Sequence, residues 1–374
     1  MTTNKLLPLL VASFLAPIAL HAQNTATTTP VGYVTYVVPA ESDANISVPL
    51  MRNPEFSGTI QSVSANTVTV ANASFATNPQ QFVFDASQDK FKTYYLEVMT
   101  GPIAGRRFKV LANDVNTITL DPDAANSVES QGLTASSTFQ LVPYWTLETL
   151  YPNGAGIGTN SSPFAPETTL LFTDARGIGT DRSSVATYFH YDGSVGGDAG
   201  WYNADNLGAG LQSHVIIDPG FTITIRNSKS SPLTLVNSGS VRISPAAVPV
   251  DEDVEPNDVY LQLPFAVDTS LNASGLLTNG VIRSSDNPFS PLDVVYVYDV
   301  ESTGQDVGVS ATYFHYSGAV GGPSGWYDAN NLNSGIIGEN PLLKAGSSIV
   351  IRKGPGVANG VTIWQAPMPY NLNQ

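Results

Sequence analysis

The chain has 374 residues, 42% of them hydrophobic and 13% charged, enough for two or three domains and too apolar to be disordered throughout. Sixteen basic residues against 31 acidic ones leave a formal charge of −15, which repels nucleic-acid phosphates and anionic membrane surfaces and argues against both as partners. The 32 Gly and 26 Pro, with abundant Thr, Ser, Asn and Val, argue against long helices and predict an all-β fold of strands joined by tight turns.

Residues 1–22 read as a secretory signal peptide: a head carrying Lys5, an apolar stretch over 6–20, and Ala22 at a position that suits cleavage. A membrane anchor fits less well, because Pro8 and Pro17 interrupt the stretch and it falls short of the ~20 residues that span a bilayer. The mature chain is expected to be exported to the periplasm, cell surface or exterior, with no membrane span after cleavage. Cysteine is absent, so neither disulfides nor thiolate metal sites are available in an oxidising compartment and stability must come from packing. A bacterial cell envelope suits such a chain, since domains of ~100 residues bury enough surface without staples.

Residues 23–145 are expected to form an N-terminal β-domain, either a sandwich or a small barrel. GTIQSVSANTVTV (58–70) alternates apolar and polar residues about a turn, and residues 92–121 give three more strands separated by Gly-Pro and Asn-Asp turns. No helical periodicity intervenes, which argues against βαβ units. A membrane-spanning barrel is the rival, but the segments lack a consistent lipid-facing apolar band. Lys90, Lys92, Arg106, Arg107 and Lys109 form a basic cluster, expected to sit outward on adjacent strands and guard the sheet against pairing with other chains.

An internal repeat organises the rest. ATYFHYDGSVGGDAGWYNADNL (186–207) and ATYFHYSGAVGGPSGWYDANNL (311–332) are identical at 16 of 22 positions with an offset of 125. The match reaches upstream through PFAP (163–166) and PFSP (288–291). Downstream, after one inserted residue, it reaches PGFTITIR and AGSSIVIR, each a turn feeding an alternating strand that ends on Arg226 or Arg352. Two homologous β-sandwich-like modules are expected, over 146–250 and 251–374, divided by the acidic stretch DEDVEPND (251–258) read as an exposed linker.

The leader, the opening VGYVTYVVPA, the SGTIQSV and GPIAGRRFKV segments, and the TYFHY…GWY module with its G-x-x-I-x-I-R strand together resemble an uncharacterised paralogous family of exported β-rich proteins from verrucomicrobia. The resemblance implies export and a β-fold, and implies no mechanism.

Candidate ligand-binding residues come from the repeated hairpins: Tyr188, His190, Trp201 and Tyr202 in the first copy, Tyr313, His315, Trp326 and Tyr327 in the second. Open aromatic faces would stack on sugar rings. The plainer reading makes them the hairpin core, and duplication preserves a core as readily as a site. No metal or other cofactor is expected: each module offers one repeated His and no Cys, and neither 121–123 nor 251–258 matches an EF-hand loop. No catalytic residue is assigned. Asp192 and Asp198 become Ser317 and Pro323 in the second copy, so no pair of acids is duplicated, and no G-x-S-x-G or H-E-x-x-H pattern occurs. The expectation is a non-catalytic structural or interaction protein of the cell envelope or extracellular matrix, with envelope polysaccharide or other surface proteins as partners and its oligomeric state open. A carbohydrate-binding protein using the hairpins is the alternative, and a hydrolase with an inter-module site a second one.

Overall fold

The computed structural model describes residues 29–370, apart from 86–91, 123–125, 175, 221, 307 and 341. The expected signal peptide, Lys90 and Asp123 lie outside the described residues. The chain opens with strands β1 (Val31–Val38) and β2 (Ser42–Ile46). Next come β3 (Phe56–Ser64), β4 (Thr67–Val70), β5 (Tyr94–Val98), β6 (Arg107–Asn113), β7 (Thr117–Leu120) and β8 (Thr138–Pro143). A third stretch holds β9 (Trp145–Thr146), the one-turn helix α1 (Leu147–Leu150), β10 (Thr168–Thr173), β11 (Ser184–Tyr191), β12 (Gly200–Asn203), β13 (Ile216–Ile217), β14 (Ile223–Asn227) and β15 (Leu233–Ser240). The last comprises β16 (Ala246–Glu252), β17 (Asn257–Gln262), β18 (Val294–Tyr298), β19 (Ala311–Tyr316), β20 (Gly325–Asp328), β21 (Ser348–Lys353) and β22 (Gly360–Ala366).

The all-β expectation holds, and the strands assemble into three bodies. Strands β3-β4-β7-β6-β5-β8 close into a barrel. Its period-2 residues Ile60, Val68, Leu96, Phe108, Ile118 and Leu141 fill the interior, as a barrel this small requires. The other two bodies share one plan. In each, a five-stranded antiparallel sheet (β12-β11-β10-β14-β2, and β20-β19-β18-β21-β17) packs against a two-stranded ribbon (β1–β15, and β16–β22) around a single apolar core.

Strand registers show how the bodies are cut from the chain, and the cuts differ from the expected ones. Core residue Tyr36 lies opposite Leu235 as core residue Val248 lies opposite Trp364, and Ile46 opposite Ile223 as Leu261 opposite Ile349. Strands β1 and β2 are therefore the counterparts of β16 and β17, shifted by 212 residues where Val34, Tyr36 and Val38 match Ala246, Val248 and Val250 in the core, and by 215 over β2. The first module begins at residue 31, and the barrel is inserted into it between β2 and β9. The acidic stretch 251–258 is no linker, because it spans the end of β16, the turn after it and the start of β17 in the second module. Asp258 is 2% exposed there, kept buried as an ion by the arginine opposite it.

The barrel is fastened to the segment joining the modules. Glu97 on β5, fully buried, forms an ion pair with buried Arg242 and accepts from Ser244 Oγ at 3.2 Å and Gln140 Nε2 at 2.8 Å. Gly105 has φ +88, and a Cβ there would fall 2.4 Å from Pro245 O, so only glycine permits the contact. Within the basic cluster, Arg106 departs from the expected outward position. It is buried, lies 5.1 Å over the Phe108 ring and donates to Gln131 Oε1 at 2.9 Å, so it braces the barrel rather than guarding its edge.

Candidate functional site

The repeated hairpins are β11–β12 and β19–β20, with His190 opposite Trp201 and His315 opposite Trp326. Each imidazole meets its indole edge-on, at 5.5 and 5.6 Å between ring centres. Trp201 is 0% and Trp326 1% exposed, and Tyr188, Tyr313 and both histidines are buried with them. Half-buried Tyr202 and Tyr327 turn their hydroxyls back onto Asp198 O and Pro323 O, both at 2.8 Å. Tyr191 and Tyr316 sew down the glycine-rich loops, donating to Gly196 O and Gly321 O and accepting from Val195 N and Val320 N. A stacking platform needs an open ring face, and Tyr188, His190, Trp201, Tyr313, His315 and Trp326 offer none, so for these six the sugar-platform expectation is corrected: they are core. Burial pushes both histidines below the usual imidazole range, which keeps them neutral.

A second constellation, not singled out as a site from sequence, lies where the two modules meet. Arg226 at the end of β14 grips Asp43 of β2 through Nε (2.9 Å) and Nη2 (2.7 Å), and Nη2 also reaches Asp306, in a loop of the other module, at 2.6 Å. Arg352 at the end of β21 grips Asp258 of β17 through Nε (2.7 Å) and Nη2 (2.8 Å), and reaches Asp181 of the first module at 2.7 Å. The backbone repeats the exchange: Asp306 N donates to Asp43 and Asp181 N to Asp258, while Asp43 N donates to Gly304 O and Asp258 N to Gly179 O. Residue i of one module thus contacts j of the other, and j of the first contacts i of the second, the reciprocity of a twofold interface built within one chain. Hydrogen bonds donated to the aspartate carboxylates raise both guanidinium groups above their ordinary range, so the forks stay charged.

Beside this interface opens a cleft of about 540 Å³. Its floor is the outward face of the first sheet, where Asn45, Leu171, Thr173 and Thr224 alternate with the core-facing Ala44, Leu170 and Ile225. Tyr260, Tyr298, Asp299 and Ser302 of the second module form the opposite wall. Arg182 closes one end, its guanidinium 5.3 Å over the Tyr260 ring and hydrogen-bonded to the carbonyls of Asp174 and Asp258. Of the cleft's carboxylates, Asp43, Asp181 and Asp306 are engaged by arginine, and Asp299 accepts the Glu301 amide at 3.0 Å. The hydrolase expectation asked for converging carboxylates here. Glycoside hydrolysis needs one that stays protonated as a donor, whereas three of these are bound as acceptors.

Two further features repeat at the surface. Phe164 and Phe289, in the equivalent PFAP and PFSP turns, are each 83% exposed, and Val195 and Val320 stand out from the glycine-rich loops. Among the described residues no group of three or more His, Cys, Asp or Glu is arranged to hold a metal ion, and no helix is long and apolar enough to cross a membrane. Set against protein-family models, curated proteins and solved structures, the chain matches none of them.

Proposed function

We propose that this is an exported, non-catalytic structural or interaction protein of the bacterial cell envelope or extracellular matrix. The observation that carries the reading is the reciprocal Arg226–Asp43–Asp306 and Arg352–Asp258–Asp181 clasp. It commits a two-pronged arginine–aspartate pair from each module to holding them in one fixed arrangement, as a scaffold requires. The buried Trp201 and Trp326 hairpins support the same reading, because the residues most faithfully duplicated serve folding. The repeated exposed Phe164 and Phe289 give an interaction protein two equivalent contact points. The resemblance to exported verrucomicrobial proteins and the leader over 1–22 support the location.

The test is fractionation of bacteria expressing a C-terminally tagged precursor, followed by pull-down from the envelope fraction with purified mature chain. A processed N-terminus near Gln23 and specific retention of an envelope polysaccharide or surface protein, weakened by Phe164→Ser with Phe289→Ser, are expected. An unprocessed chain in the cytosol, or a mature chain that stays monomeric and retains no envelope component, would count against the proposal.

A further inference from the structure

The two modules meet about a local twofold axis, so every residue at the inter-module interface has a counterpart that reports what the shared frame alone requires. The arginine–aspartate clasp is present in both halves and is therefore frame. The cleft is not symmetric. Its floor residues Asn45, Leu171 and Thr173 correspond to Tyr260, Tyr296 and Tyr298 of the second module, at offsets of 215, 125 and 125. Where the second sheet carries three tyrosines on its outward face, one of them packed 5.1 Å under Arg352, the first carries an amide, an isobutyl group and a hydroxyl. The second-module counterparts Asp258, Tyr296, Val350 and Arg352 do not line the cleft. The cavity is thus a local departure from the duplicated plan, and a frame shown by its twin to accept tyrosines has been left open at three positions.

The lining defines what fits. Its hydroxyl and amide groups come from both modules, two tyrosine rings stand on one wall and Leu171 on the floor. Burial, reinforced by the neighbouring Tyr260 and Asp258, pushes the Tyr298 phenol up to about 12, so it remains an O–H donor at any physiological pH. Asp43, Asp181 and Asp306 are paired with Arg226 and Arg352, and the remaining Asp299 carboxylate and Arg182 guanidinium are of opposite sign, which favours a neutral ligand over a strong anion. The volume falls within the roughly 300–1,000 Å³ of small-molecule sites. We propose that the inter-module cleft binds a short neutral saccharide, its C–H face against Tyr298 and Leu171 and its hydroxyls on the Asn45, Thr173 and Asp299 side. This goes beyond the scaffold reading and does not depend on it, since a clasp holds two modules together with or without a ligand between them.

The test titrates the full chain with maltotriose, cellotriose and tri-N-acetylchitotriose, each to ~10 mM, well above the ~1 mM of a weak specific complex. Saturation-transfer NMR and calorimetry provide the readouts. One probe is expected to bind with a Kd of ~1 mM or tighter. Leu171→Tyr with Thr173→Tyr, which copies the second module's own residues into the first, is expected to weaken that binding at least tenfold while leaving the melting temperature in place. Asn45→Tyr is the second blocking variant should the pair fail to fold. Failure of all three sugars to bind, or binding unchanged by either folded blocking variant, overturns the proposal and leaves envelope retention through Phe164 and Phe289 as a separate question.

Discussion

Replacing Asp293 by Asn tests how the second module tolerates a buried ionic cluster that the first module lacks. The Asp293 carboxylate is wholly buried and accepts five hydrogen bonds: Arg283 Nε at 3.0 Å, Arg283 Nη2 at 2.6 Å, Lys353 Nζ at 3.1 Å, and the backbone N–H groups of Arg283 and Gly354, each at 2.8 Å. Lys353 is 1% exposed, with Glu252 at 3.3 Å as its other charged partner. An Asn side chain keeps the shape but turns an NH2 toward donors and leaves the Lys353 ammonium short of one counter-charge. Breaking a buried pair from one side costs about 3–5 kcal/mol. At roughly 2–4 °C per kcal/mol for domains of this order, the module should melt at least ~6 °C lower.

Differential scanning calorimetry reads that loss, and a double replacement sharpens it. The equivalent positions in the first module are Thr168 and Asn227, both fully buried and neutral, so Asp293→Thr with Lys353→Asn moves the second module toward a solution its twin already uses. Removing both charges should recover part of the single-variant loss, because the buried Lys353 ammonium is no longer short of a counter-charge and only the partly exposed Arg283 and Glu252 lose a partner. Burial opposes ionisation of Asp293, but the Arg283 hydrogen bonds, the Lys353 charge and the two amides outweigh it and hold the carboxyl below the usual range. A depressed carboxyl contributes stability above its unfolded pKa of about 4 and loses it as the pH falls through the folded value, so the Asn variant should show a flatter acid limb. A melting point within ~2 °C of the parent, or a double variant less stable than Asp293→Asn, would refute the reasoning.

Trp201→Ala and Trp326→Ala should each destabilise by about 3–5 kcal/mol in urea titrations, and by similar amounts, because both indoles are buried against an equivalent histidine; a loss under ~1 kcal/mol would mean that the hairpins are not core. Arg226→Gln should cost several times more than Asp306→Asn, since the first strands the buried Asp43 carboxylate while the second removes an arm to an 87% exposed side chain, contributing about 0–1 kcal/mol. Equal losses in thermal melts would show that the exposed arm matters as much as the buried one. His190 and His315 titrate below the ordinary imidazole range because they are buried, so the unfolded chain takes up protons first and stability should fall as the pH drops through about 6.5. Replacing both by Gln should flatten that limb between about pH 7 and pH 5, and an unaltered pH profile would exclude them as its source.

Fold class, the barrel alternative and the paired hairpins were readable from alternation, turn residues and the repeat, because those signals are local or were preserved by duplication. The true start of the first module was not. Residues 42–50 and 257–265 form equivalent segments, yet only Asp43/Asp258 and Pro49/Pro264 are identical among the nine aligned pairs, too few to register without the ladder beside them. The two retained aspartates are the partners of Arg226 and Arg352, so the faint identity that survived is the one the clasp needs. Separating β1 and β2 from β10 by an inserted barrel then hid the match behind a change of offset from 125 to 212 over β1 and 215 over β2. The acidic 251–258 stretch misled for a related reason. Charge density reads as solvent exposure until a partner is known, and the guanidinium that buries Asp258 lies 94 residues further along the chain.

The candidate cleft was illegible in a stricter sense, because nothing in Asn45, Leu171 or Thr173 marks them as special until their counterparts are known. Duplication supplies that comparison within one molecule. Positions held in both halves, such as the Trp hairpins and the clasp, are under the demands of folding and of the twofold contact. Positions that diverge while their frame is held have been released from those demands. Exposed surface diverges for want of constraint, but Leu171 and Thr173 sit on a sheet face at an interface, where their counterparts are bulky and one packs beneath an arginine. With an amide, an isobutyl group and a hydroxyl where the second module has three tyrosines, the first sheet's face is left as the floor of an open cleft. Retention of an open, polar cavity beside a clasp whose every ion is paired points to an occupant as the reason that the two halves of the interface are no longer alike.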